Sequence, residues 1–232
     1  MKGPNEEREA NRSVTRLRTT LIADRARCSN RLKAMLYLHG LIDANDSSMV
    51  SNKWIRKVLE IIQNRNYPDG FKYTIQSYAE QWLEITTKIK EIDKKLAEQT
   101  NSEGENKLDT IYRSVPGIGP LNARILANEL GDMSQFSNEK KLYSFTGLTP
   151  REPSSGDKRY LGSISRQGRS VLRKVLVEAA WVAIKKDKNL ENIFVTITKK
   201  AGMKRAIVGV ARRLIGRIRT CIRKGEEYRF AI

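Results

Sequence analysis

Between residues 71 and 96 the apolar side chains Phe71, Ile75, Tyr78, Trp82, Ile85, Ile89, Ile92 and Leu96 step by 4, 3, 4, 3, 4, 3 and 4. A heptad seam sustained for more than three repeats has one reading, a long helix that must bury its stripe against another helix. Upstream, residues 6–38 contain neither Gly nor Pro. Ala10, Val14, Leu17, Leu21, Cys28, Leu32 and Met35 recur there at helical spacing, which predicts a first long amphipathic helix. It can partner the seam within the chain, or the seam can pair with its copy in another protomer. Periodicity leaves both open, together with a mixed bundle of the two. Residues 40–52 are polar and break the pattern, 53–64 resume it, and Tyr67-Pro68-Asp69-Gly70 is a turn signal. The region 1–100 therefore reads as a helical, coiled-coil and oligomerising part, and 101–109, rich in Asn, Glu, Ser and Gly, as a linker.

Composition matters at that boundary. Lysine and arginine number 44 against 26 acids in 232 residues, a net charge of +18. Residues 1–109 hold 19 basic and 16 acidic side chains, a net of +3, and the remainder holds +15. The polyanion-binding potential is thus concentrated in 110–232, and DNA is the first partner it suggests. Two cysteines and one histidine cannot build a disulfide scaffold or a histidine-rich metal centre, so no metal site is read and the reducing cytoplasm is the expected compartment. Mean hydropathy is -0.54 and no apolar run approaches eighteen residues, so no membrane span is expected. The N-terminus has no apolar core of a signal peptide.

Past the linker, residues 110–114 run into Val115-Pro116-Gly117-Ile118-Gly119-Pro120 and then 121–130. Helix, tight turn, helix is the reading, a helix-hairpin-helix pattern with Pro120 in a first turn and Gly131 at a C-cap. Such a turn brings backbone N–H groups at Gly117, Ile118 and Gly119 toward a phosphate without reading bases. Ser137 is placed to cap a short helix through Phe145, closed by Gly147. Residues 149–165 read as a loop with room for a short hairpin, and 167–186 and 203–224 as the last two long helices. The fold class is all-α.

Two clusters suit phosphate backbones. In 203–224, Ile207, Val210, Leu214, Ile218 and Cys221 form an apolar face, while Lys204, Arg205, Arg212, Arg213, Arg219 and Arg223 crowd the rest with no acid from 206 to 224. Arg166, Arg169, Arg173 and Lys174 repeat the arrangement one helix earlier, where Val171, Leu172, Val175, Leu176 and Ala179 would face a core. Between them, Arg151, Lys158 and Arg159 flank Ser154-Ser155-Gly156, a loop that can present a hydroxyl to a phosphodiester while guanidiniums hold its charge.

Taken in order, Val-Pro-Gly-Ile-Gly-Pro at 115–120, Phe136 through Tyr143-Ser-Phe-Thr-Gly-Leu-Thr-Pro150-Arg151, Ser155-Gly156, Gly162-x-Ile164-Ser165-Arg166-x-Gly168, Leu172-Arg173 and Ala211-Arg212-Arg213-Leu214 resemble the C-terminal domain of the IS-one-ten insertion-sequence transposases. The match spans about 110–228, and the arginine-rich first helix resembles that family's linking helical segment. The resemblance implies a serine recombinase guided by a structured bridge RNA, with Ser155, or Ser154 as fallback, forming a phosphoserine link to DNA. It also implies a preceding RuvC-like domain with Asp, Glu, Asp and Asp metal ligands, for which residues 1–109 have no counterpart. Mg2+ is implied only through that domain, and no cofactor is assigned to this chain. Asp157 departs from the small residue expected after Ser-Gly. A truncated or split transposase domain, 110–232, is therefore the expectation, with a non-catalytic DNA- or RNA-binding fragment that regulates or assembles with full-length transposase as the alternative.

Overall fold

The computed structural model describes residues 6–43, 45–99, 106–150, 164 and 167–230. All regular structure among them is helical: α1 (Glu6–Leu38), α2 (Asn52–Asn64), α3 (Asp69–Glu98), α4 (Asn106–Arg113), α5 (Pro120–Leu130), α6 (Glu139–Thr146), α7 (Ser170–Ala183), α8 (Lys188–Ala201) and α9 (Met203–Lys224). One isolated antiparallel bridge pairs Pro150 with Ile164. The all-α expectation holds.

Two compact units divide the chain, one of residues 13–95 and one of residues 1–12 with 96–232. In the first, α1, α2 and α3 enclose a core of Cys28, Leu32, Leu36, Ile55, Val58, Ile62, Phe71, Ile75, Ala79 and Trp82. The seam of α3 thus meets the chain's own α1. Trp82 donates its indole N–H to Ser29 Oγ at 2.9 Å, and Arg18 pairs with Asp93 at 2.5 Å. The buried stripe departs from a strict heptad. Ala79 and Thr86 are buried where Tyr78 and Ile85 are half-exposed, because a straight helix with 3.6 residues per turn drifts off a 3.5-residue repeat.

The other unit packs α4–α9 around one large core in which Leu126, Leu130, Leu142, Leu148, Leu172, Leu176, Leu190, Val210, Leu214 and Ile218 are fully buried. The first turns of α1 belong to it through Arg12, whose guanidinium donates to the carbonyls of Asn128 (3.1 Å) and Glu129 (2.9 Å). Those carbonyls end α5 without intrahelical partners, so a cation there satisfies them along the favourable direction of the helix dipole.

Local signals explain most of the helix ends. Gly131, Gly147 and Gly225 close α5, α6 and α9 with positive φ. The cap of α6 is Asn138, whose side chain accepts from the Lys141 N–H, one residue beyond the expected Ser137. A whole helix was not anticipated. α8 occupies 188–201, where Val195-Thr196-Ile197-Thr198 depresses helix propensity; the Asp187 cap on the Leu190 N–H and packing against α9 outweigh that preference.

Candidate nucleic-acid interface

The glycine turn comes first in the chain. Gly117 has φ +81°, and a Cβ there would lie 2.8 Å from the Val182 Cβ and 2.9 Å from the Ala179 Cα. Its lack of a side chain is therefore explained by close approach to α7. Ile118 is buried at 5% exposure, and its N–H already donates to the Val115 carbonyl at 3.1 Å. Gly119 differs from both: space is open around it, and it starts α5 with no side-chain cap and Pro120 behind it. Of the three, Gly119 is the one placed to offer an uncapped helix start to an anion.

α9 sorts its cations sharply. Ile207, Val210, Leu214 and Ile218 are buried as their spacing predicts, and Cys221 is half-buried. Lys204, Arg205, Arg213 and Arg223 are exposed on the other side. Arg219 does not join them. It is 6% exposed and donates through Nη2 to the Phe136 carbonyl at 2.8 Å, so it holds the α5–α6 connection to α9. Arg212 is half-buried, its guanidinium 4.8 Å above the Tyr143 ring. Tyr143 in turn donates to Glu139 Oε2 at 2.8 Å, and burial, then that hydrogen bond, push its phenol up to about 12. Gly209 and Gly216, two turns apart on α9, let Ile197 of α8 and Tyr143 of α6 approach the helix.

At the start of α7, Arg169 is exposed, its Nε 3.9 Å from Glu129 Oε2. Arg173 lays Nη1 over Gly147, within 2.5 Å of where a Cβ would stand; that nitrogen is buried and has no hydrogen-bond partner among the described residues. Beneath it, Gly168 crosses Gly147 so closely that a Cβ on Gly168 would collide with the Gly147 N and the Phe145 carbonyl. The Arg169 N–H donates to that same carbonyl at 3.0 Å. The Pro150–Ile164 bridge and this crossing flank residues 151–163. Arg151, Ser154, Ser155, Lys158, Arg159 and Arg166 themselves lie outside the described residues.

Sequence reasoning missed the surface that α8 adds. Lys188, Asn189, Asn192, Ile193 and Thr196 of α8 face Arg213 of α9 across a groove of about 510 Å³. The signal was present in Leu190, Ile193, Phe194 and Ile197, apolar at helical spacing behind an Asp cap. It also missed cations spent inside the fold. Arg124 forms a fully buried ion pair with Asp109, and Arg217 donates to Asp187 Oδ2 at 2.7 Å and to Tyr228 Oη at 3.0 Å. Among the described residues no group of three or more His, Cys, Asp or Glu side chains is placed to hold a metal ion, so none is assigned to them. None of the described helices is long and apolar enough to cross a membrane.

Residues 109–194 match the Transposase IS116/IS110/IS902 family. The chain is 26% identical over 177 residues to the transposase for insertion sequence element IS1328 of Yersinia enterocolitica, covering 76% of this chain and 51% of that protein. It is 33% identical over 121 residues to the transposase for insertion sequence element IS1111A of Coxiella burnetii, covering 50% and 33%. A pilin gene-inverting protein of Moraxella bovis is 27% identical over 126 residues, covering 53% and 39%. The chain spans about half the length, or less, of these curated relatives.

Proposed function

We propose that this chain works in DNA transposition, gripping phosphate backbones along the exposed cations of α9 and the start of α7, with the uncapped start of α5 as a further contact. The observation that carries the reading is the sorting on α9: Lys204, Arg205, Arg213 and Arg223 stay in solvent with no acid on the helix beyond residue 206. A solvated face intersperses both signs, whereas a one-sign face suits counterion release from a polyanion. The match of residues 109–194 to a transposase family supports DNA as that polyanion.

The chemistry in this reading is a serine transesterification. Ser155 Oγ, with Ser154 the fallback, attacks the phosphorus of a DNA phosphodiester; the Oγ–P bond forms, one P–O bond to a deoxyribose breaks, and the serine proton ends on the departing hydroxyl. Attack by another strand's hydroxyl reverses the exchange and frees the serine. Oligomerisation through the helical unit, a structured RNA guide and a Mg2+-bearing acidic domain supplied by a partner complete the reading; none of the three is assigned to a described residue. Incubation with a nicked suicide substrate tests it, alone and with a longer transposase that brings the acidic domain. A covalent protein–DNA adduct lost in Ser155→Ala and kept in Ser154→Ala is the expected result, and equal adducts in both remove Ser155 from the role.

A second reading needs only the cationic surface: binding without chemistry, in which the chain occupies DNA or RNA and assembles with or regulates a full-length transposase. Salt-dependent binding with no adduct under any combination selects it.

A further inference from the structure

In the unit of residues 13–95 one groove has the lining of an anion site. About 650 Å³ of open space lies between α1, the start of α2 and α3. Arg25, Lys33 and Lys90 line it, and no carboxylate of the described residues does.

Arg25 and Lys33 are each held by neighbours. Arg25 sits 5.9 Å above the ring of Trp82, whose indole N–H donates to Ser29 Oγ, and that hydroxyl donates to the Arg25 carbonyl at 2.9 Å. Lys33 donates two of its three N–H groups to the Asp46 (2.9 Å) and Ser48 (2.5 Å) carbonyls, which leaves one for a ligand. The Asp46 carboxylate is turned to the Ser48 N–H at 2.7 Å. Ser51, whose Oγ accepts from the Trp54 N–H at 3.2 Å, opens α2, a 13-residue helix with no acid in its first turn, and Ser51 and Asn52 at that positive end line the same groove.

Thr86 lines the floor with its Oγ1 buried, so it shapes the groove while the rim supplies the contacts. A cationic rim without carboxylates, beside a helix start, matches a phosphodiester, whose oxygens accept from both.

We propose that this groove is a second nucleic-acid site, binding the phosphate backbone of a strand through Arg25, Lys33, Lys90 and the start of α2, separately from the α9 surface. The inference rests on the nucleic-acid reading above and extends it to the unit of residues 13–95. The ligand chemistry is the phosphodiester; RNA and DNA both supply it.

The full chain carries its own reporters, since its three tryptophans divide as Trp54 and Trp82 in this unit and Trp181 on α7. Indole N–H signals of 15N-labelled protein are followed while a 20-nucleotide RNA hairpin, or a DNA hairpin of the same length, is added. The Trp82 signal is expected to shift with at least one of them and to stay at its free position in the Arg25→Ala/Lys90→Ala variant. The same variant is expected to bind about tenfold more weakly at physiological salt, with the log–log salt slope reduced by about 2. Lys72→Ala/Lys95→Ala, the same loss of charge outside the groove, is the control and retains the Trp82 shift. A Trp82 signal unmoved by saturating amounts of both hairpins, or a slope unchanged in the groove variant, overturns the inference while α9 binding stands. Failure of wild-type protein to bind either hairpin overturns both. A shift with one hairpin only names the source.

Discussion

Arg219 donates to the carbonyl of Phe136 at 2.8 Å from a position 6% exposed, although it is one of six cations that the pattern of α9 grouped on a single outer face. Replacing it with alanine is expected to cost about 2–3 kcal/mol by leaving a buried carbonyl without its charged donor. Arg213→Ala is expected to stay within about 0.5 kcal/mol of the parent. The two should exchange ranks in DNA binding: the salt slope falls by about 1 in Arg213→Ala and is unchanged in Arg219→Ala under conditions where both are folded. Urea denaturation and fluorescence anisotropy at several salt concentrations check the pair.

Glycines in the turn and at the crossing are not equivalent. Gly117→Ala places a Cβ against α7 at positive φ and is expected to cost about 2 kcal/mol or more, and Gly168→Ala about 1–3 kcal/mol by pushing against the Gly147 backbone. Gly119→Ala meets open space at φ -80° and is expected to cost less than about 1 kcal/mol. Thermal melts rank the three; a Gly119 variant as damaged as the Gly117 one contradicts the packing described.

Asp187 ties three elements together. Its carboxylate accepts from the Leu190 N–H, Arg217 and Tyr228, whose own N–H donates to Ser114 Oγ at 2.8 Å. Asp187→Ala removes the cap of α8 and leaves Arg217 partly buried without its counter-ion, with an expected loss of about 3 kcal/mol. Amide exchange is the discriminating measurement, since the opening should be greatest in α8 and in residues 226–230.

Tyr143 and Tyr228 are both pushed up to about 12, burial being the leading cause in each. A phenol whose folded pKa lies above its unfolded value of about 10 contributes stability that is whole below pH 10 and is lost as pH rises through 12. Ultraviolet titration should therefore show late-ionising tyrosine that is reduced by one residue in Tyr143→Phe or Tyr228→Phe and is absent in denaturant.

Much of the fold was legible because helices announce themselves over one or two turns. The apolar spacing and the Gly, Pro and capping residues placed α1, α2, α3, α5 and α9 within a residue or two. α8 was lost to its β-branched run, where tertiary packing and one Asp cap overrode local preference. The candidate site was legible as a list of cations but not as a surface. Arg213 and Arg219 are six residues apart on one helix, and nothing in their spacing tells which has a carbonyl waiting beside it.

The sequence by itself determined an all-helical chain with its positive charge gathered after residue 109, since helical periodicity and charge are local or additive properties. Tertiary structure decided what covers each helical face. It gave the α3 seam to α1 of the same chain, spent Arg12, Arg124, Arg217 and Arg219 on buried carbonyls and carboxylates, and left Lys204, Arg205, Arg213 and Arg223 to solvent. The physical reason is that a face is a property of one helix, whereas burial and hydrogen-bond partners belong to the pair that meets there.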